Sequence, residues 1–527
     1  MLRFSRYLLR FESVFVHKFH IVLLCLFLVP KPLWSQILPP DGSNLNYRLI
    51  GFRFPSVPLA KNYKLEIASG NFISADSFKK NVIKTIPCKK SSVIAEVPSF
   101  GNQYTWRFSY SVNNDTIYSS LHHFCTVSSA EVDTNSTRFR IVKHALKYKG
   151  DYVFLDGNRA LYDMNGKPVW YLPDIYGSMN KGDLLSDLKF SSHNTITFIF
   201  EYQAYEINYD GKVLWKGPNN GKVSGDSVEF YHHEFTHLNN GHYMVLGSEF
   251  NWKFPLGDNS LHLDPDNDIQ QNEANRKVEF GTIIEYDKKG NVVWSWKSSN
   301  YFLAEDTNYI KPPQRHFTAN DFDFIHPNIR LLQHDVHENA FFFDEKTKVV
   351  YLSFKNVSRI IKLKYPEGVV LNTYGPIQKP GSSETGINLF CHQHSCRISK
   401  DGYLYLFNNN LCDTSGAKIT MLQEPVSAKT TLKKIWEYQC TVEDNYKKRF
   451  TSGGNVIELS DRSLFVNMGS DYSKVFIVNR DKKVLWSAIP EKWNPAEKNW
   501  TIIHQYRASI ISKSDLENLI WNSESKE

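Results

Sequence analysis

The chain has 527 residues, of which 41% are hydrophobic, 14% aromatic and 22% charged. This is ordinary globular composition with an aromatic excess, and the length is enough for two domains or more. The net charge of +7 falls to about +3 without residues 1–35, because that segment holds five basic residues and one acidic residue. A charge this small gives no basis for nucleic-acid binding.

Residues 1–35 predict a signal peptide. The basic residues of this segment include Arg3, Arg6, Arg10 and Lys18. The apolar run Ile21–Val29 is too short to span a bilayer comfortably, and Ser35 offers a small residue before a cleavage point. An uncleaved anchor is the alternative. We therefore expect an exported protein, periplasmic or secreted.

Six cysteines remain after this segment: Cys88, Cys125, Cys391, Cys396, Cys412 and Cys440. An even count in an exported chain favours disulfides, but six cysteines leave the pairing open. Cys88 with Cys125 is the first pairing expected, since both lie in the N-terminal region. A Cys391–Cys396 bridge would stiffen the loop that carries His394. No zinc-type CxxC pair is present, and we predict no metal and no cofactor.

Residues 36–137 predict a small all-β domain. The segments Tyr47–Phe54, Tyr63–Ile67, Val93–Val97 and Tyr104–Tyr110 are short, aromatic and β-branched. Turn residues such as Gly42, Gly70 and Gly101 separate them. The pattern resembles an immunoglobulin/fibronectin III-like β-sandwich, to which we assign no chemistry.

From residue 138 onward a repeat determines the expected fold. Its mark is a strand, a turn with Asp or Asn and usually Gly, and a second strand that usually ends in Trp. The copies are Ala160–Trp170, Tyr205–Trp215, Ile283–Trp294, Ile360–Leu371, Lys433–Tyr438 and Val475–Trp486. Another hairpin precedes most copies, so each of six units holds four strands. Residues 138–527 are therefore expected to form a six-bladed β-propeller.

Each unit averages about 65 residues, more than the roughly 40–45 of a compact propeller blade. Long insertions are therefore expected, at Asn251–Lys277 and Lys297–Asn328. The chain should end in a closing strand, Trp500–Ile511, and a short helix, Ser512–Asn522.

Three histidines share a position in these units. His233, His337 and His394 each stand at the start of the first strand, in the third, fourth and fifth units. An equal register would place them on one face, directed towards the mouth of a central channel. The second strand returns to that face, at Lys355 in the fourth unit and at residues 408–410 in the fifth. In the sixth unit the equivalent position is Gly453-Gly454, which is expected to leave room.

Neutral imidazoles can attack an electrophile or move a proton near neutral pH, and a lysine among them can hold an anion. Three histidines could also bind a metal, and their spacing does not exclude it. The chain has 18 histidines, and a single histidine is more often a surface residue or a structural hydrogen-bonding residue than a catalytic one. Lys355 by itself would be a solvated strand end. The shared register is what favours a functional site.

This pattern resembles the PAPS-independent arylsulfate sulfotransferases (arylsulfotransferase, ASST-like), which are periplasmic six-bladed propellers preceded by a small β-domain. Their motifs match between about residues 230 and 470. A His-x-Asn-Ser and Ser-x-Arg pattern falls on His337-Glu338-Asn339-Ala340 and Ser353-Phe354-Lys355. A Gln-His, Asp-Gly-Asn and Leu-Phe-Asp-Asn-Gly pattern falls on Gln393-His394, Asp401-Gly402-Tyr403 and Leu406-Phe407-Asn408-Asn409-Asn410. A His-His-Asp stretch falls on His232-His233-Glu234.

The resemblance implies transfer of a sulfuryl group from a phenolic sulfate ester to a phenolic acceptor, by a ping-pong route and without PAPS. His394 would be the nucleophile and form a sulfohistidine. His337 and Lys355 would hold the sulfate oxygens, and His233 would move the phenolic proton. The amides Asn339, Asn408 and Asn409 would complete the substrate site. The implied partners are an aryl sulfate donor and a phenol acceptor, with no nucleic acid; a homodimer is left open.

The sequence departs from this family at three positions. Lys355 replaces an arginine and loses its bidentate recognition of oxyanions. Ala340 replaces a serine, and Asn408 an aspartate. The alternative is a non-catalytic propeller that binds a glycan or protein partner. A quinoprotein-type dehydrogenase is less favoured, because those propellers usually need eight blades.

Overall fold

The computed structural model describes residues 37–128, 136–175, 184–251, 277–302, 332–375, 389–412, 415–427, 430–441, 452–469 and 473–522. The expected signal peptide and most of the two expected insertions lie outside these ranges. Across the ranges that are described, no helix has both the length and the apolar character needed to cross a membrane.

The chain divides into two compact units. The first consists of residues 37–43, 50–95 and 102–125, and the second of 44–49, 96–101 and the described residues from 126 onward. The elements up to residue 126 are β1 (Ser43–Leu45), β2 (Leu49–Arg53), β3 (Lys61–Ser69), α1 (Ala75–Lys80), β4 (Val82–Cys88), β5 (Ser92–Glu96), β6 (Gln103–Val112), β7 (Asp115–Tyr118) and β8 (His122–Thr126). One sheet has the order β1-β8-β6-β3-β4, with β7 also on β6, and β2 pairs with β5. The sandwich expected here stays a prediction.

The expected Cys88–Cys125 disulfide is wrong. Both cysteines are free thiols, Cys88 at the end of β4 and Cys125 in β8. Strands β6 and β3 lie between these two strands. Three strand spacings amount to about 14 Å, whereas a disulfide needs Cα atoms within about 7 Å. Membership of one sheet therefore did not bring the two sulfur atoms together.

The remaining elements belong to the second unit. They are β9 (Thr137–Lys143), β10 (Tyr152–Leu155), β11 (Ala160–Asp163), β12 (Pro168–Tyr171), β13 (Leu185–Ser191), β14 (Thr195–Phe200), β15 (Gln203–Ile207), β16 (Val213–Lys216), β17 (Tyr231–His237), β18 (Tyr243–Asn251), β19 (Lys277–Tyr286), β20 (Val292–Lys297), β21 (Leu332–Asp335), β22 (Glu338–Asp344), β23 (Val349–Phe354), β24 (Arg359–Lys364), β25 (Val369–Tyr374), β26 (His394–Ile398), β27 (Leu404–Asn408), β28 (Lys418–Gln423), β29 (Lys433–Gln439), β30 (Asn455–Glu458), β31 (Leu464–Asn467), β32 (Val475–Val478), β33 (Val484–Asn494), β34 (Asn499–Ile502), β35 (Ala508–Ile511) and α2 (Lys513–Asn522).

Within the described part of this unit, six sheets are each built on four antiparallel strands. Their orders are β35-β10-β11-β12, β13-β14-β15-β16, β17-β18-β19-β20, β22-β23-β24-β25, β26-β27-β28-β29 and β30-β31-β32-β33. Strand β21 adds to β19, and β34 and β9 add to β33. Strand β35 pairs with β10, so the end of the chain completes the first sheet. The unit is all-β and propeller-like.

The sheets pack in a cyclic order, mainly through their first strands. The contacting pairs are β35 with β13, β13 with β17, β17 with β22, β22 with β26, β26 with β30, and β31 with β35. Antiparallel pairing inside each sheet brings the start of every first strand to the same edge as the end of the second strand. Residues far apart in the sequence therefore meet at this edge.

The repeated tryptophans have a packing role. A tryptophan on the fourth strand of one sheet donates its indole N–H to a backbone carbonyl in the turn between the third and fourth strands of the next sheet. The pairs are Trp170 to Tyr209 at 2.8 Å, Trp294 to Pro366 at 2.7 Å, Trp436 to Arg480 at 2.8 Å and Trp486 to Met164 at 3.1 Å. Tryptophan suits this position, because its large apolar ring fills the gap between sheets and its indole N–H satisfies a backbone carbonyl.

The closing strand expected at Trp500–Ile511 is two strands. The first, β34, forms a hairpin with β33, and the second, β35, joins β10. The segment between them ends in Tyr506 and Arg507, directly before β35. The expected short helix is α2.

Candidate functional site

The three predicted histidines stand near the starts of the first strands of three sheets. His394 begins β26, His337 directly precedes β22, and His233 is the third residue of β17. His233 and His337 adopt left-handed backbone conformations, with φ of 62° and 57°, whereas in β26 this conformation falls on Ser395, with φ of 53°. Counted from the pair next to the turn, His237–Tyr243 or Ile398–Leu404, His233 and His394 keep the same spacing of four residues. What differs is the residue that takes the left-handed conformation, which is shifted by one position in β26.

The structure nevertheless brings the three imidazoles together around Tyr506. The ring centres of His233 and His337 lie 5.0 Å apart, in an edge-to-face arrangement. Tyr506 lies 5.4 Å from His233 and 6.2 Å from His394. We refer to these four residues as the histidine centre. Sequence reasoning missed Tyr506, because its place depends on how the last strand closes the first sheet.

Asn409 determines which nitrogen of His394 carries the proton. The Nδ2 group of Asn409 donates to the carbonyl oxygen of Gly453 at 3.0 Å, and that oxygen can only accept. The Oδ1 atom of Asn409 therefore faces Nδ1 of His394, at 2.6 Å, and Nδ1 must be the donor. In the neutral imidazole, this leaves the lone pair on Nε2.

Burial and nearby positive charge keep His394, His233 and His232 neutral. Burial first, and then the Lys355 ammonium, hold the pKa of His394 well below its usual value. Burial, followed by His232 and His337, lowers the pKa of His233 in the same direction. Burial also lowers the pKa of His232 to about 3. A neutral imidazole keeps its lone pair, so these rings are nucleophiles or bases rather than acids near neutral pH.

Lys355 lies where the pairing of β22 and β23 ends. Its backbone N–H donates to the carbonyl oxygen of His337 at 2.9 Å, which places it opposite the histidine across the hairpin. Its side chain is half-buried, and its charge lowers the pKa of both His394 and His392. The site therefore holds a cation close to the neutral imidazoles.

The other predicted amides are turned towards the protein. Asn408 is 2% exposed, and its Oδ1 accepts from the backbone N–H groups of Cys391 and Asn410, at 2.9 and 3.0 Å. Asn339 is fully buried, and its Nδ2 donates to the carbonyl oxygen of Gln393 at 2.8 Å. Asn408 and Asn339 thus shape the two segments next to His394.

A buried ion network that the sequence reasoning missed lies beneath the histidine centre. Glu234 pairs with Arg397, and its other oxygen accepts from the Phe341 N–H at 3.1 Å and lies 3.4 Å from Arg507. Burial opposes ionisation of Glu234, but the two guanidinium groups outweigh it and lower the pKa to about 2. Arg507 also donates to the carbonyl oxygen of Asn339 at 2.8 Å. Arg507 thereby adds positive charge that lowers the pKa of His233 and His394.

The glycine pair of the sixth sheet makes room for a protein side chain. Gly453 and Gly454 have φ of 72° and 92°. A Cβ atom on Gly453 would lie 2.7 Å from the Tyr506 ring, and one on Gly454 would lie 2.5 Å from the Phe407 ring. The space expected here is therefore occupied by Tyr506 and Phe407.

The disulfide next to His394 joins Cys391 to Cys412, with Cα atoms 6.2 Å apart. The expected Cys391–Cys396 bridge is wrong, because Cys396 is fully buried within β26, in the core between two sheets. The bridge links the segment before His394 to the segment after Asn409. Closing a loop of this length contributes about 3 kcal/mol in the chain-entropy model.

The arrangement suits attack on an anionic electrophile. His394 presents a free lone pair on Nε2, while Lys355 and Arg507 supply positive charge near it. A shared metal ion needs ligand atoms that all lie within about 4.8 Å of one another, and the three predicted histidines do not meet this condition. Among the described residues, Cys391, His392 and Cys412 do.

Comparison with solved structures finds distant similarities. One is a protein of unknown function from Bacteroides caccae, at 13% identity and a TM-score of 0.39, over 68% of this chain and 98% of that chain. Another is a DUF4784 family protein from Bacteroides caccae ATCC 43185, at 8% identity and a TM-score of 0.25, over 90% and 98%. A third is Kluyveromyces lactis Hsv2, at 9% identity and a TM-score of 0.23, over 90% and 98%. At these TM-scores the similarities carry no argument.

No curated protein matches the chain. The model of the family described as arylsulfotransferase (ASST) matches residues 131–474, which is more than half of the chain. The resemblance seen in the motifs is thereby confirmed: the chain belongs to the arylsulfotransferase family.

Proposed function

We propose that this protein transfers a sulfuryl group from a phenolic sulfate ester to a phenolic acceptor, through a sulfohistidine at His394 and without PAPS. Family membership supports sulfotransferase chemistry in general. The observation that carries the finer proposal is the hydrogen bond between His394 Nδ1 and Asn409 Oδ1, at 2.6 Å. It leaves the Nε2 lone pair of a neutral, buried imidazole as the nucleophile.

In the first step, Nε2 attacks the sulfur atom and the bond from sulfur to the phenolic oxygen breaks. The electron pair of that bond leaves with the phenolate. The imidazole now carries the SO₃ group on Nε2 and a proton on Nδ1, so positive charge develops on the ring. The Nδ1–H group of His394 becomes more acidic as this charge develops, so its hydrogen bond to Asn409 Oδ1 strengthens.

The sulfuryl oxygens need partners that match their negative charge. Lys355 and His337 are joined by a backbone hydrogen bond at the end of the β22–β23 hairpin, and Lys355 lies near enough to influence His394 electrostatically. We assign both to the oxygens of the transferred group. Lysine acts there as a point charge, without the two parallel hydrogen bonds of an arginine.

In the second step, the acceptor phenol attacks the sulfur atom and the bond to Nε2 breaks. The phenolic proton has to leave, and His233 is the base that we assign to it. Because burial and neighbouring rings lower its pKa, His233 is neutral and can accept a proton. The Tyr506 ring lies 5.4 Å from that of His233 and 6.2 Å from that of His394, and we assign it to contact with the aromatic ring of the substrate.

The same proposal covers the organisation of the chain. The cyclic order of six four-stranded sheets supports a six-bladed β-propeller catalytic domain over residues 138–527, after an immunoglobulin/fibronectin III-like domain over residues 36–137. We propose export to the periplasm or beyond the cell, directed by residues 1–35.

The test is sulfuryl transfer from 4-nitrophenyl sulfate to phenol, without nucleotide. The wild type should release nitrophenol, and donor-treated protein should carry the mass of one SO₃ group on the peptide that contains His394. His394→Asn should lose both signals, whereas His144→Asn, at an exposed histidine, should keep both. Turnover that survives in His394→Asn would refute the nucleophile assignment. A wild type without turnover for any aryl donor and acceptor would instead favour a binding protein.

A further inference from the structure

Beside the histidine centre lies a second group of chemically active side chains, Cys391, His392 and Cys412. Their ligand atoms all lie within 4.8 Å of one another. The two sulfur atoms are joined as a disulfide, and a disulfide sulfur is not a metal ligand, because metals bind the thiolate. We propose that reduction of the Cys391–Cys412 disulfide creates a binding site for a thiophilic divalent metal ion, with Cys391, Cys412 and His392 as its three protein ligands.

The distances fit a tetrahedral zinc ion. One nitrogen, Nδ1 of His392, faces both sulfur atoms, at 3.3 Å from Cys391 Sγ and 3.8 Å from Cys412 Sγ. With Zn–S of about 2.3 Å and Zn–N of about 2.0 Å, tetrahedral geometry separates nitrogen from sulfur by about 3.5 Å. The two observed distances lie on either side of this value. In the oxidised protein the nitrogen therefore already lies at about this distance from both sulfur atoms.

Only the two sulfur atoms have to move. In the disulfide they are 2.06 Å apart, and a tetrahedral site would hold them about 3.8 Å apart. The Cα atoms are 6.2 Å apart, so rotation of the two side chains can open the gap without a shift of the backbone. The hydrogen bonds from Asn410 N to Cys391 O, at 3.0 Å, and from Cys391 N to Asn408 Oδ1, at 2.9 Å, hold one end of the loop during this change.

The disulfide is open to a reductant at one sulfur atom. Cys412 is exposed, whereas Cys391 is buried. A dithiol reductant attacks Sγ of Cys412, the disulfide bond breaks, and Cys391 leaves as the thiolate. The second thiol of the reductant then releases Cys412 and forms the disulfide of the reductant. Two electrons pass from the dithiol to the two cysteines, and metal binding afterwards displaces their protons.

The surroundings favour Cys391 as a leaving thiolate and as a ligand. The backbone N–H of Cys412 donates to Cys391 Sγ at 2.9 Å. A hydrogen-bond donor stabilises a thiolate.

The donor set selects the class of metal. Two thiolates and one imidazole are borderline-soft ligands, which suit Zn²⁺ and do not suit Mg²⁺ or Ca²⁺. Three protein ligands leave the fourth position open. The site shares the 408–412 segment with Asn409, so a bound ion would replace the covalent link that the disulfide provides there. The spacing of Cys391 and Cys412 in the sequence, unlike a CxxC pair, gave no signal of this site.

The test measures zinc binding by the full chain before and after reduction. The protein is reduced with a phosphine, freed of it without oxygen, and titrated with Zn²⁺ against a chromophoric chelator. Reduced wild type should bind one ion that the oxidised protein does not bind, and Co²⁺ in its place should show thiolate-to-cobalt charge transfer. Cys412→Ser and His392→Asn should each weaken this binding about tenfold or more. Cys125→Ser, at a thiol outside the group, should bind like the wild type.

His392→Asn keeps the disulfide, so it tests the site in a protein that can still be oxidised and folded. Binding by reduced His392→Asn equal to that of reduced wild type would overturn the proposal, since the imidazole would not be a ligand. Binding by reduced wild type no tighter than by Cys412→Ser would overturn it as well. These readouts do not depend on sulfuryl transfer, so the failure of either proposal is recognised separately.

Discussion

The tautomer of His394 can be tested by removing its partner. In Asn409→Ala the side chain no longer accepts from Nδ1, and the imidazole can place its proton on either nitrogen. The His394 ring is 1% exposed, so water does not readily replace the lost acceptor. We expect slower formation of the sulfohistidine, with little change in donor binding, because the Asn409 side chain is already engaged by His394 and the Gly453 carbonyl.

The magnitude follows from the hydrogen bond at 2.6 Å between two neutral groups. Such a bond contributes about 1 kcal/mol net, and an orphaned buried donor costs about 1–3 kcal/mol. The first step should therefore lose roughly 1.5–3 kcal/mol of transition-state stabilisation, which is about 10- to 150-fold in rate at 1.36 kcal/mol per tenfold.

The assay is the pre-steady-state burst of nitrophenol from 4-nitrophenyl sulfate. The matched control is Asn410→Ala, because Asn410 lies in the same loop and donates to Ser415 and Gly416 instead of a histidine. Asn409→Asp, which keeps an acceptor next to Nδ1, should restore much of the burst rate. A burst rate in Asn409→Ala equal to that of the wild type, or a loss just as large in Asn410→Ala, would refute the tautomer argument.

Four further predictions follow from charge and backbone geometry. Lys355→Met should raise the pKa of His394, because the ammonium disfavours the imidazolium; the acid limb of the pH–rate profile should then move to higher pH. Because the folded-state pKa of His394 is lowered, the unfolded chain binds more protons than the folded chain in acid. The melting temperature of the wild type should therefore decrease as the pH is lowered below about 6.5. Gly453→Ala should destabilise more in urea unfolding than Gly402→Ala, since both have positive φ but a Cβ on Gly402 meets nothing within 4 Å. Glu234→Gln should cost about 3 kcal/mol of unfolding free energy, because two guanidinium groups would lose their buried counter-charge; an unchanged urea midpoint would contradict this.

The register of the histidines shows where sequence reasoning stops. From the sequence, His233 and His394 are expected at the same position, the start of the first strand of their units. The structure places a bulge at both strands, and the left-handed residue is His233 in one and Ser395 in the other. A bulge adds one residue to a strand without changing the hydrophobic pattern. That pattern therefore cannot reveal a one-residue shift of the left-handed residue between two strands.

The sequence alone determined the all-β class, the repeated four-strand unit and the histidines of the candidate site. These depend on local alternation, on turn residues and on motifs within one hairpin, which a repeat displays several times. Tertiary structure alone decided that Cys391 bonds to Cys412, that Tyr506 lies among the histidines and that Glu234 and Arg507 form an ion pair beneath them. The β26–β27 hairpin brings the two cysteines together, whereas Tyr506 and Arg507 reach the histidines and Glu234 through the closure of the first sheet by β35. No pattern within a single segment encodes these distances.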